Sequence, residues 1–267
     1  MARATRRAQR AESGKGNALV GVLEGRRIVV TGGASGMGAA SVRSFASEGA
    51  RVFSTDISGD AGAAVATEAA ALGGDVLFEQ CDVSSPALDD VMARGIEWLG
   101  GLDVLANVAG IERGATPADV TDDQFDEVLE PNLWATIRTN QLAFRHLRDA
   151  GGGRIINYAS DAGLGGMPMA PAYSVSKGGV LGWSRSIARE WAVHNIAVAA
   201  MCPQIWTPMY EEYRRREPAE IVALSDRLME GTDPDRDMGP VMVFLASTGS
   251  GGVTGLHIHV RKINAVL

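Results

Sequence analysis

Arg27-Ile-Val-Val-Thr-Gly-Gly-Ala-Ser-Gly-Met-Gly38 is the stretch from which the fold of this chain can be inferred. Its β-branched start predicts a short strand, its glycines predict a tight turn, and the residues that follow, to Glu48, have a helical pattern. Glycines let the backbone turn sharply and approach a pyrophosphate, while the N-terminus of a helix directs free N–H groups at it. The stretch therefore predicts a dinucleotide-binding turn; a purely structural turn is the alternative.

The alternation of strand and helix continues along the chain. Further strands are predicted at 51–56, 75–82, 102–106, 153–160, 196–201 and 256–260, with helical patterns between most of them. Such alternation favours right-handed crossovers and an α/β fold, in which one doubly wound parallel sheet carries helices on both faces. Ligands of these sheets bind beyond the carboxyl ends of the strands, which is where Gly32, Asp56, Asp82 and Asn107 fall.

Asp56 ends the second predicted strand, about 20 residues beyond the glycines. A carboxylate at this position accepts hydrogen bonds from an adenosine ribose diol and repels a 2′-phosphate, so NAD is favoured over NADP as the cofactor. The sequence Asp56-Ile-Ser-Gly59 is also good turn chemistry, and a plain cap of a turn or helix is the alternative.

Tyr173 and Lys177 form the strongest catalytic signal. A predicted helix that starts near Pro171 carries them at positions i and i+4, which lie on one helix face, shortly after a strand that ends in Ser160. A cation within about 4 to 6 Å favours a phenolate and draws the pKa of the phenol down toward the neutral range, where proton transfer is efficient. A chance helix pair is the alternative.

Pro131 interrupts a long predicted helix that begins after the N-cap Thr121 and runs to about Asp149. The proline removes a backbone donor, so we expect a kink that frees carbonyl groups near Asn132. A disturbed turn beside a polar side chain is a natural site for a bound water.

Composition limits the classes of function. With 267 residues, 46% of them hydrophobic and 21% charged, the chain can bury a large core as one domain. The net charge of −7 argues against a nucleic-acid or anionic-membrane partner, and no apolar run is long enough to span a membrane. Two cysteines without metal spacing predict buried free thiols, and the four histidines give no metal signature. We therefore expect a cytoplasmic protein.

Two segments are predicted to lie outside the central sheet. Residues 1–24 are rich in arginine and poor in apolar residues, which predicts a mobile basic tail, so that 25–267 forms the catalytic domain. Residues 206–232 mix aromatic and methionine side chains with Arg214-Arg-Arg216, which fits a mobile lid over a partly apolar substrate. A surface helix with a solvated arginine face is the alternative for the second segment.

Together these residues resemble the short-chain dehydrogenase/reductase family, of the single-domain type often called classical, over about residues 25–260. The resemblance implies a Rossmann-type fold, and hydride transfer between a nicotinamide cofactor and an alcohol or carbonyl carbon. By the family's motifs the catalytic residues would be Asn132, Ser160, Tyr173 and Lys177. The cofactor contacts would be Gly32, Ser35, Gly36, Met37, Gly38, Asp56, Asp82, Val83, Asn107, Ala109, Gly110, Tyr173, Lys177, Pro203, Ile205 and Thr207.

The resemblance also implies how these residues act. Tyr173 would exchange a proton with the substrate oxygen, and Ser160 would hydrogen-bond that oxygen. Lys177 would lower the pKa of the tyrosine and hold the nicotinamide ribose. Asn132 would hold a water. The function implied is that of an NAD-dependent secondary-alcohol dehydrogenase or ketone reductase, assembled as a homotetramer or homodimer. An NADPH-dependent reductase of acyl-carrier-linked or polyketide ketones, and a nucleotide sensor without catalysis, are the alternatives.

Three positions depart from the family pattern. Val108 replaces an asparagine, Gln204 replaces the glycine that usually follows Pro203, and Val260-Arg-Lys-Ile-Asn264 stands where the family usually has Asp-Gly-Gly. The second departure is expected to reshape the loop on the cofactor side. The third puts in question the C-terminal contact with another subunit and the rim of the pocket.

Overall fold

A computed structural model describes residues 21–262. Its centre is one sheet of seven parallel strands in the order β3-β2-β1-β4-β5-β6-β7, as the predicted doubly wound fold requires. The order reverses between β1 and β4, where Thr31 lies beside Asn107 at the carboxyl ends. The strands are β1 Arg27–Thr31, β2 Arg51–Asp56, β3 Asp75–Gln80, β4 Val104–Asn107, β5 Gly153–Tyr158, β6 Ile196–Pro203 and β7 Leu256–Val260.

Helices connect the strands and cover both faces of the sheet. Short 3-10 or π turns adjoin several of them, notably the π turn Glu130–Trp134. The α-helices are α1 Gly36–Ser47, α2 Gly59–Ala70, α3 Leu88–Leu99, α4 Asp122–Leu129, α5 Ala135–Asp149, α6 Ala162–Gly165, α7 Pro171–Trp191, α8 Pro208–Arg216, α9 Ala219–Met229 and α10 Gly239–Ala246.

Alternate residues of each central strand enter opposite cores. Ile28 and Val30 of β1 pack with residues of α1, α2 and α10 on one face, whereas Val29 packs with residues of α3, α5 and α7 on the other. This burial on both faces explains why the central strands read as continuous β-branched runs in the sequence. At the amino-terminal edge of the sheet, Asp103 binds Arg27 through both carboxylate oxygens, at 2.8 and 2.9 Å, and so links β4 to β1.

The predicted long helix between Thr121 and Asp149 is three elements. Thr121 caps α4 through a capping box with Gln124, as its sequence indicates. Pro131 then lies in the π turn before α5 begins. The predicted disturbance of the helix at Pro131 is present as this π turn, and the missing N–H of the proline accounts for it.

The ends of the described region bear on two further expectations. Residues 1–20 of the predicted basic tail lie outside the described residues, and Leu23 is already fully buried in the core.

Cys81 and Cys202 are buried free thiols, as predicted. Between residues 21 and 262, no helix has the length and apolar character needed to cross a membrane.

Candidate active site

The glycine turn brings the backbone of β1 against the segment that follows β4. Gly32 has a φ of +74°, and a Cβ there would lie 2.6 Å from the Ala109 backbone. A Cβ on Gly38 would collide with the Gly32 carbonyl oxygen. The Ser35 side chain makes no capping bond and the first turn of α1 holds no acid, so its N–H groups suit an anionic phosphate. These residues fit the pyrophosphate of a dinucleotide.

Asp56 fixes two turns through its carboxylate, and its predicted contact with a ribose stays a prediction. Its Oδ2 accepts the Ala34 N–H at 3.0 Å and its Oδ1 accepts the Ser58 N–H at 2.9 Å. The first bond fixes the glycine turn and the second fixes the turn after β2. Because each oxygen has a further lone pair and the residue is only half-buried, the carboxylate can still accept hydrogen bonds from a ribose diol.

Several other expected cofactor residues can offer only backbone atoms. The Ile205 side chain is buried in the core, and Met37 packs against that core. The Asn107 side chain is also buried; it donates to Asn157 at 3.0 Å and accepts from Thr139 at 2.8 Å. Direct contact between the Ile205 or Asn107 side chain and a cofactor is therefore excluded in this conformation. Sequence reasoning did not separate side-chain contacts from backbone contacts at these positions.

The remaining cofactor positions also lie at the carboxyl edge of the sheet. Val83, Asn107 and Ala109 line one narrow space with Thr31, while the exposed Asp82 accepts the Ser84 N–H at 2.8 Å. Pro203 ends β6 beside Val260. Thr207 caps α8 and lies 3.6 Å from where a Cβ of Gly36 would be, which places the loop after β6 next to the glycine turn.

Ser160 and Tyr173 meet at the mouth of this edge. Ser160 follows β5 and its Oγ accepts the Ala162 N–H at 3.1 Å. Tyr173, in the first turn of α7, is partly exposed, and its phenol is close enough to Ser160 for that hydroxyl to oppose the rise of the phenol pKa that burial causes. The strand and the helix thus place a hydroxyl and a phenol together, as the sequence predicts.

Lys177 is buried one helical turn beyond Tyr173. Its Nζ donates to the Tyr158 carbonyl oxygen at 2.8 Å and lies 5.6 Å from the centroid of the Tyr173 ring. Burial lowers the pKa of Lys177 to about 8. The carbonyl of Tyr158 is a contact that sequence reasoning missed, and no local signal would have revealed it.

The expected lowering of the Tyr173 pKa is wrong for the chain on its own. Desolvation raises the pKa of Tyr173 to about 12, although Ser160 opposes this and the Glu112 carboxylate adds to it. Lys177 directs its ammonium at a carbonyl group instead of the phenol and is itself easily deprotonated, so its effect does not overcome burial.

Asn132 occupies the π turn and ties three segments together. Its Oδ1 accepts the Ile111 N–H at 2.8 Å, while its Nδ2 donates to the Ile111 carbonyl at 2.9 Å and to Ser176 at 3.0 Å. Gly110 fits between this side chain and Lys177, because a Cβ there would lie 2.9 Å from Asn132 Oδ1 and 3.4 Å from Lys177 Nζ. The side chain of Asn132 therefore holds the loop after β4 against α7. The expected water at this turn stays a prediction.

Glu112 and Arg216 form a contact that the sequence did not reveal. Both Glu112 oxygens accept from Arg216 Nη2, at 2.9 and 2.7 Å, and Arg216 Nε donates to Glu217 at 2.8 Å. Both glutamate side chains are only 4% exposed. Burial raises the pKa of Glu112, against the effect of Arg216. The ion pair ties α8 to the loop that follows β4.

The arginine run therefore does not form a freely solvated face. Arg214 pairs with Asp226 and Arg215 with Glu211. On the inner side of the 206–232 segment, Tyr210, Tyr213 and Val222 form a small apolar cluster that Met167 and Trp206 extend. In residues 21–262 no group of three or more potential ligand side chains is placed to hold a metal ion. The rings of His257 and His259 on β7 lie edge to face with centroids 5.3 Å apart.

Comparison with known proteins agrees with this architecture. The short chain dehydrogenase family model matches residues 26–218. The chain is 33% identical over 240 residues, 89% of this chain and 96% of the relative, to the (2S)-[(R)-hydroxy(phenyl)methyl]succinyl-CoA dehydrogenase subunit BbsD of Thauera aromatica. It is 34% identical over 235 residues, 87% of this chain and 95% of the relative, to the 3-oxoacyl-[acyl-carrier-protein] reductase FabG of Thermotoga maritima.

A solved structure shows the same fold with a ligand. Carveol dehydrogenase from Mycobacterium avium, in complex with NAD, superposes with a TM-score of 0.81 at 27% identity, over 90% of this chain and 97% of that chain. The sheet order, the glycine turn and the match to the family model all agree. The chain belongs to the short-chain dehydrogenase/reductase family.

Proposed function

We propose that this protein is an NAD-dependent oxidoreductase that interconverts a secondary alcohol and a ketone. The observation that carries the proposal is the convergence of Ser160, Tyr173 and Lys177 beside a glycine turn suited to a pyrophosphate. A serine, a tyrosine and a lysine in this arrangement can hold a substrate oxygen and exchange its proton. A nucleotide sensor without catalysis would not need the three reactive groups together.

In alcohol oxidation, Tyr173 as phenolate takes the hydroxyl proton, and in ketone reduction the phenol returns it to the alkoxide. Ser160 hydrogen-bonds the substrate oxygen and stabilises the charge that develops on it. Lys177 holds the ribose hydroxyls and, when protonated, favours the phenolate. Bound NAD supplies the hydride acceptor, and NADH supplies the hydride donor. Asn132 keeps the loop after β4 in place around Lys177.

The preference for NAD rests on Asp56. Its carboxylate is fixed by the Ala34 and Ser58 N–H groups where a ribose would lie. Neither the turn 32–38 nor the segment 54–60 contains a lysine or arginine that would pair with a 2′-phosphate. The NAD complex of carveol dehydrogenase gives further support. The similarity to an acyl-carrier-protein reductase keeps an NADPH-dependent ketoreductase as the second candidate, against which Asp56 weighs.

The proposed substrate is medium-sized and partly apolar. Met167 and Trp206 extend the apolar cluster on the inner side of the 206–232 segment, which we propose is a lid over the substrate. The Glu112–Arg216 ion pair would hold this lid against the loop after β4.

A panel of secondary alcohols, and the matching ketones, tests the proposal. Each compound is assayed with NAD and with NADP in parallel, and the absorbance of the reduced nicotinamide is followed. We expect turnover with NAD and apolar alcohols of medium size. Tight NAD binding without turnover of any compound would favour the sensor, and preference for NADPH with acyl thioesters would favour the second candidate.

We further propose a cytoplasmic homotetramer or homodimer that associates through α7. Val175 is 53% exposed on this helix, and nothing lies within 4 Å of the Cβ position of Gly182 on the same side. An exposed apolar residue above a glycine lets a second helix approach closely. Because Leu23 is buried in the core, we move the proposed start of the catalytic domain from residue 25 to about residue 21.

A further inference from the structure

The carboxylate of Asp161, the residue after Ser160, contacts two later segments of the chain. Its Oδ1 lies 2.7 Å from His259 Nδ1 on β7, and its Oδ2 accepts from Gln204 Nε2 at 2.6 Å. Asp161 Oδ1 and His259 Nδ1 are both shielded from solvent and neither forms a hydrogen bond of standard geometry, so they are joined by a short buried polar contact.

The carboxylate of Asp161 belongs to the turn that shapes the serine. The Ala162 N–H donates to Ser160 Oγ at 3.1 Å, and the Gly163 N–H donates to the Ser160 carbonyl at 3.0 Å. The Leu164 N–H donates to the Asp161 carbonyl at 3.0 Å. A displacement of the Asp161 side chain therefore moves the short turn that orients the Ser160 hydroxyl.

Gln204 and His259 reach this turn from the other side of the candidate site. Gln204 follows β6 and begins the loop that leads to Thr207, and its N–H donates to the Val260 carbonyl at 2.8 Å. His259 lies beside Cys202 in the β6–β7 pairing. Gln204 is also one of the positions at which the sequence departs from its family pattern, so this contact is a property of this chain.

Cys202 is close to this cluster but does not compete for its bonds. Burial, and next the Asp161 carboxylate, raise the pKa of the Cys202 thiol to about 12. The thiol therefore stays protonated and uncharged. The Asp161 carboxylate makes its polar contacts with Gln204 and His259.

We propose that Asp161, Gln204 and His259 are positioning residues, which fix the Ser160 hydroxyl relative to the loop 203–207. The inference rests on the proposed function, because Ser160 would hold the substrate oxygen while the loop would contact the nicotinamide end of the cofactor. None of the three residues touches the reacting atoms. The hydrogen bond from Gln204 and the short contact with His259 join the substrate side of the site to its cofactor side. A misplacement of about 1 Å between such groups can cost about 100-fold in rate.

The strand β7 offers a matched pair of variants for the test. His259→Leu removes the polar contact with Asp161, whereas His257→Leu changes a histidine on the same face that has no salt bridge to Asp161. His259→Asn is the rescue variant, because its Nδ2 can occupy the position of the imidazole Nδ1. For each variant we would measure kcat, KM for the alcohol, the Kd for NAD and the hydrogen exchange of the backbone amides 160–166.

We expect His259→Leu to lower kcat about tenfold and to speed exchange of amides 160–166 about tenfold, with the Kd for NAD within about twofold of wild type. His259→Asn should recover most of both losses, and His257→Leu should resemble wild type. Equal effects of His257→Leu and His259→Leu, or no recovery with His259→Asn, would overturn the proposal. If His259→Leu does not fold, Gln204→Met removes the hydrogen bond from Gln204 to Asp161 with little change in side-chain volume. It should show the same loss of kcat and the same faster exchange.

The exchange measurement separates this inference from the proposed function. If wild type turns over none of the alcohols or ketones, while exchange at 160–166 still responds to His259→Leu alone, the oxidoreductase proposal fails and the structural tie stands. If wild type is active and exchange and kcat are unchanged in His259→Leu, the positioning role is wrong and the oxidoreductase proposal stands.

Discussion

The Lys177 ammonium nitrogen lies 5.6 Å from the centre of the Tyr173 ring and donates its hydrogen bond to a backbone carbonyl instead of the phenol. Both groups are strongly perturbed, since burial raises the pKa of Tyr173 to about 12 and lowers the pKa of Lys177 to about 8. In the chain on its own, the phenol and the amine are therefore both driven toward their neutral forms. Perturbed pairs of this kind at the edge of a parallel sheet are typical of catalytic sites.

Replacement of the phenol is the most direct test of the catalytic assignment. Tyr173→Phe removes one hydroxyl and should lower kcat by about 10³-fold, the usual range for loss of a general acid or base. The free energy of unfolding should change by about 1 kcal/mol or less, and NAD should still bind. The control is Tyr158→Phe, which removes a buried phenol hydrogen-bonded to Ser41 and leaves the carbonyl that accepts from Lys177. A Tyr173→Phe enzyme with turnover near that of this control would contradict the assignment.

The lowered pKa of Lys177 makes stability depend on pH in a defined direction. Because the folded pKa is about 8 and the reference value is 10.5, the unfolded chain binds more protons between these values. The contribution of Lys177 to stability therefore rises with pH across this window, by about 3 kcal/mol in total. Urea unfolding of wild type and Lys177→Met at pH values across the window should show the difference between them growing with pH. A difference that stays constant would mean that the lysine is not desolvated.

Asp56 should decide the choice of nicotinamide cofactor. Asp56→Ser removes the charge that would repel a 2′-phosphate, and we expect the ratio of kcat/KM for NAD to that for NADP to fall at least about tenfold. The substitution also removes acceptors for the Ala34 and Ser58 N–H groups. This loss should lower the turnover with both cofactors to the same extent. Asp56→Asn separates the two effects, since it removes the charge but keeps one acceptor. An unchanged ratio in both variants would refute the argument for NAD.

The Glu112–Arg216 ion pair should stabilise the closed position of the 206–232 segment. Arg216→Ala leaves two buried carboxylates without their shared cation, which should cost about 2 to 3 kcal/mol of unfolding free energy after allowance for partial exposure of the arginine. We also expect faster proteolysis within 206–232 and a KM for the alcohol raised about fivefold. Arg215→Ala is the control, because Arg215 is 73% exposed and its salt bridge is with Glu211 on its own helix. Equal losses in the two variants would remove the special role of Arg216.

A charge on the exposed side of α7 should prevent association. Gly182→Glu places a carboxylate in open space on this helix and should raise helix propensity by about 0.5 to 1 kcal/mol, so the monomer should stay folded. Light scattering should show the oligomer of wild type converted to a monomer, while Ala64→Glu on the exposed side of α2 leaves it intact. If the wild-type protein is monomeric at every concentration, the proposed assembly is refuted.

The sequence was sufficient for features that are local or periodic. Three such features depend on neighbours in the chain: the glycine turn, the i, i+4 pair of Tyr173 and Lys177, and the interrupted helix at Pro131. The structure contains all three. The helix Gly59–Ala70 was not predicted, because its glycine and alanine content gives little apolar periodicity and its start resembles a turn. The end of β3 was placed two residues too late, and the start of β4 two residues too early, since apolar runs do not mark where pairing stops.

Contacts between distant segments were beyond sequence reasoning. Glu112 and Arg216 are separated by 104 positions, and Asp161 and Gln204 by 43, so nothing in either local sequence identifies the partner. The direction of the Tyr173 pKa shift was wrong for a related reason. A cation at i+4 can be seen in a sequence, but the desolvation of both groups depends on the packing of the whole domain.

The position of β4 beside β1 has a consequence during synthesis on the ribosome. A nascent chain that has emerged only through β3 already contains the glycine turn, but the neighbouring edge of β1 is bare and Arg27 has no Asp103 to bind. The wall of the dinucleotide cleft that Ala109 provides is made later, and the catalytic groups later still. We therefore expect a bound cofactor to stabilise the fold only after β4 has paired, and until then the unpaired edge of β1 is open to other strands.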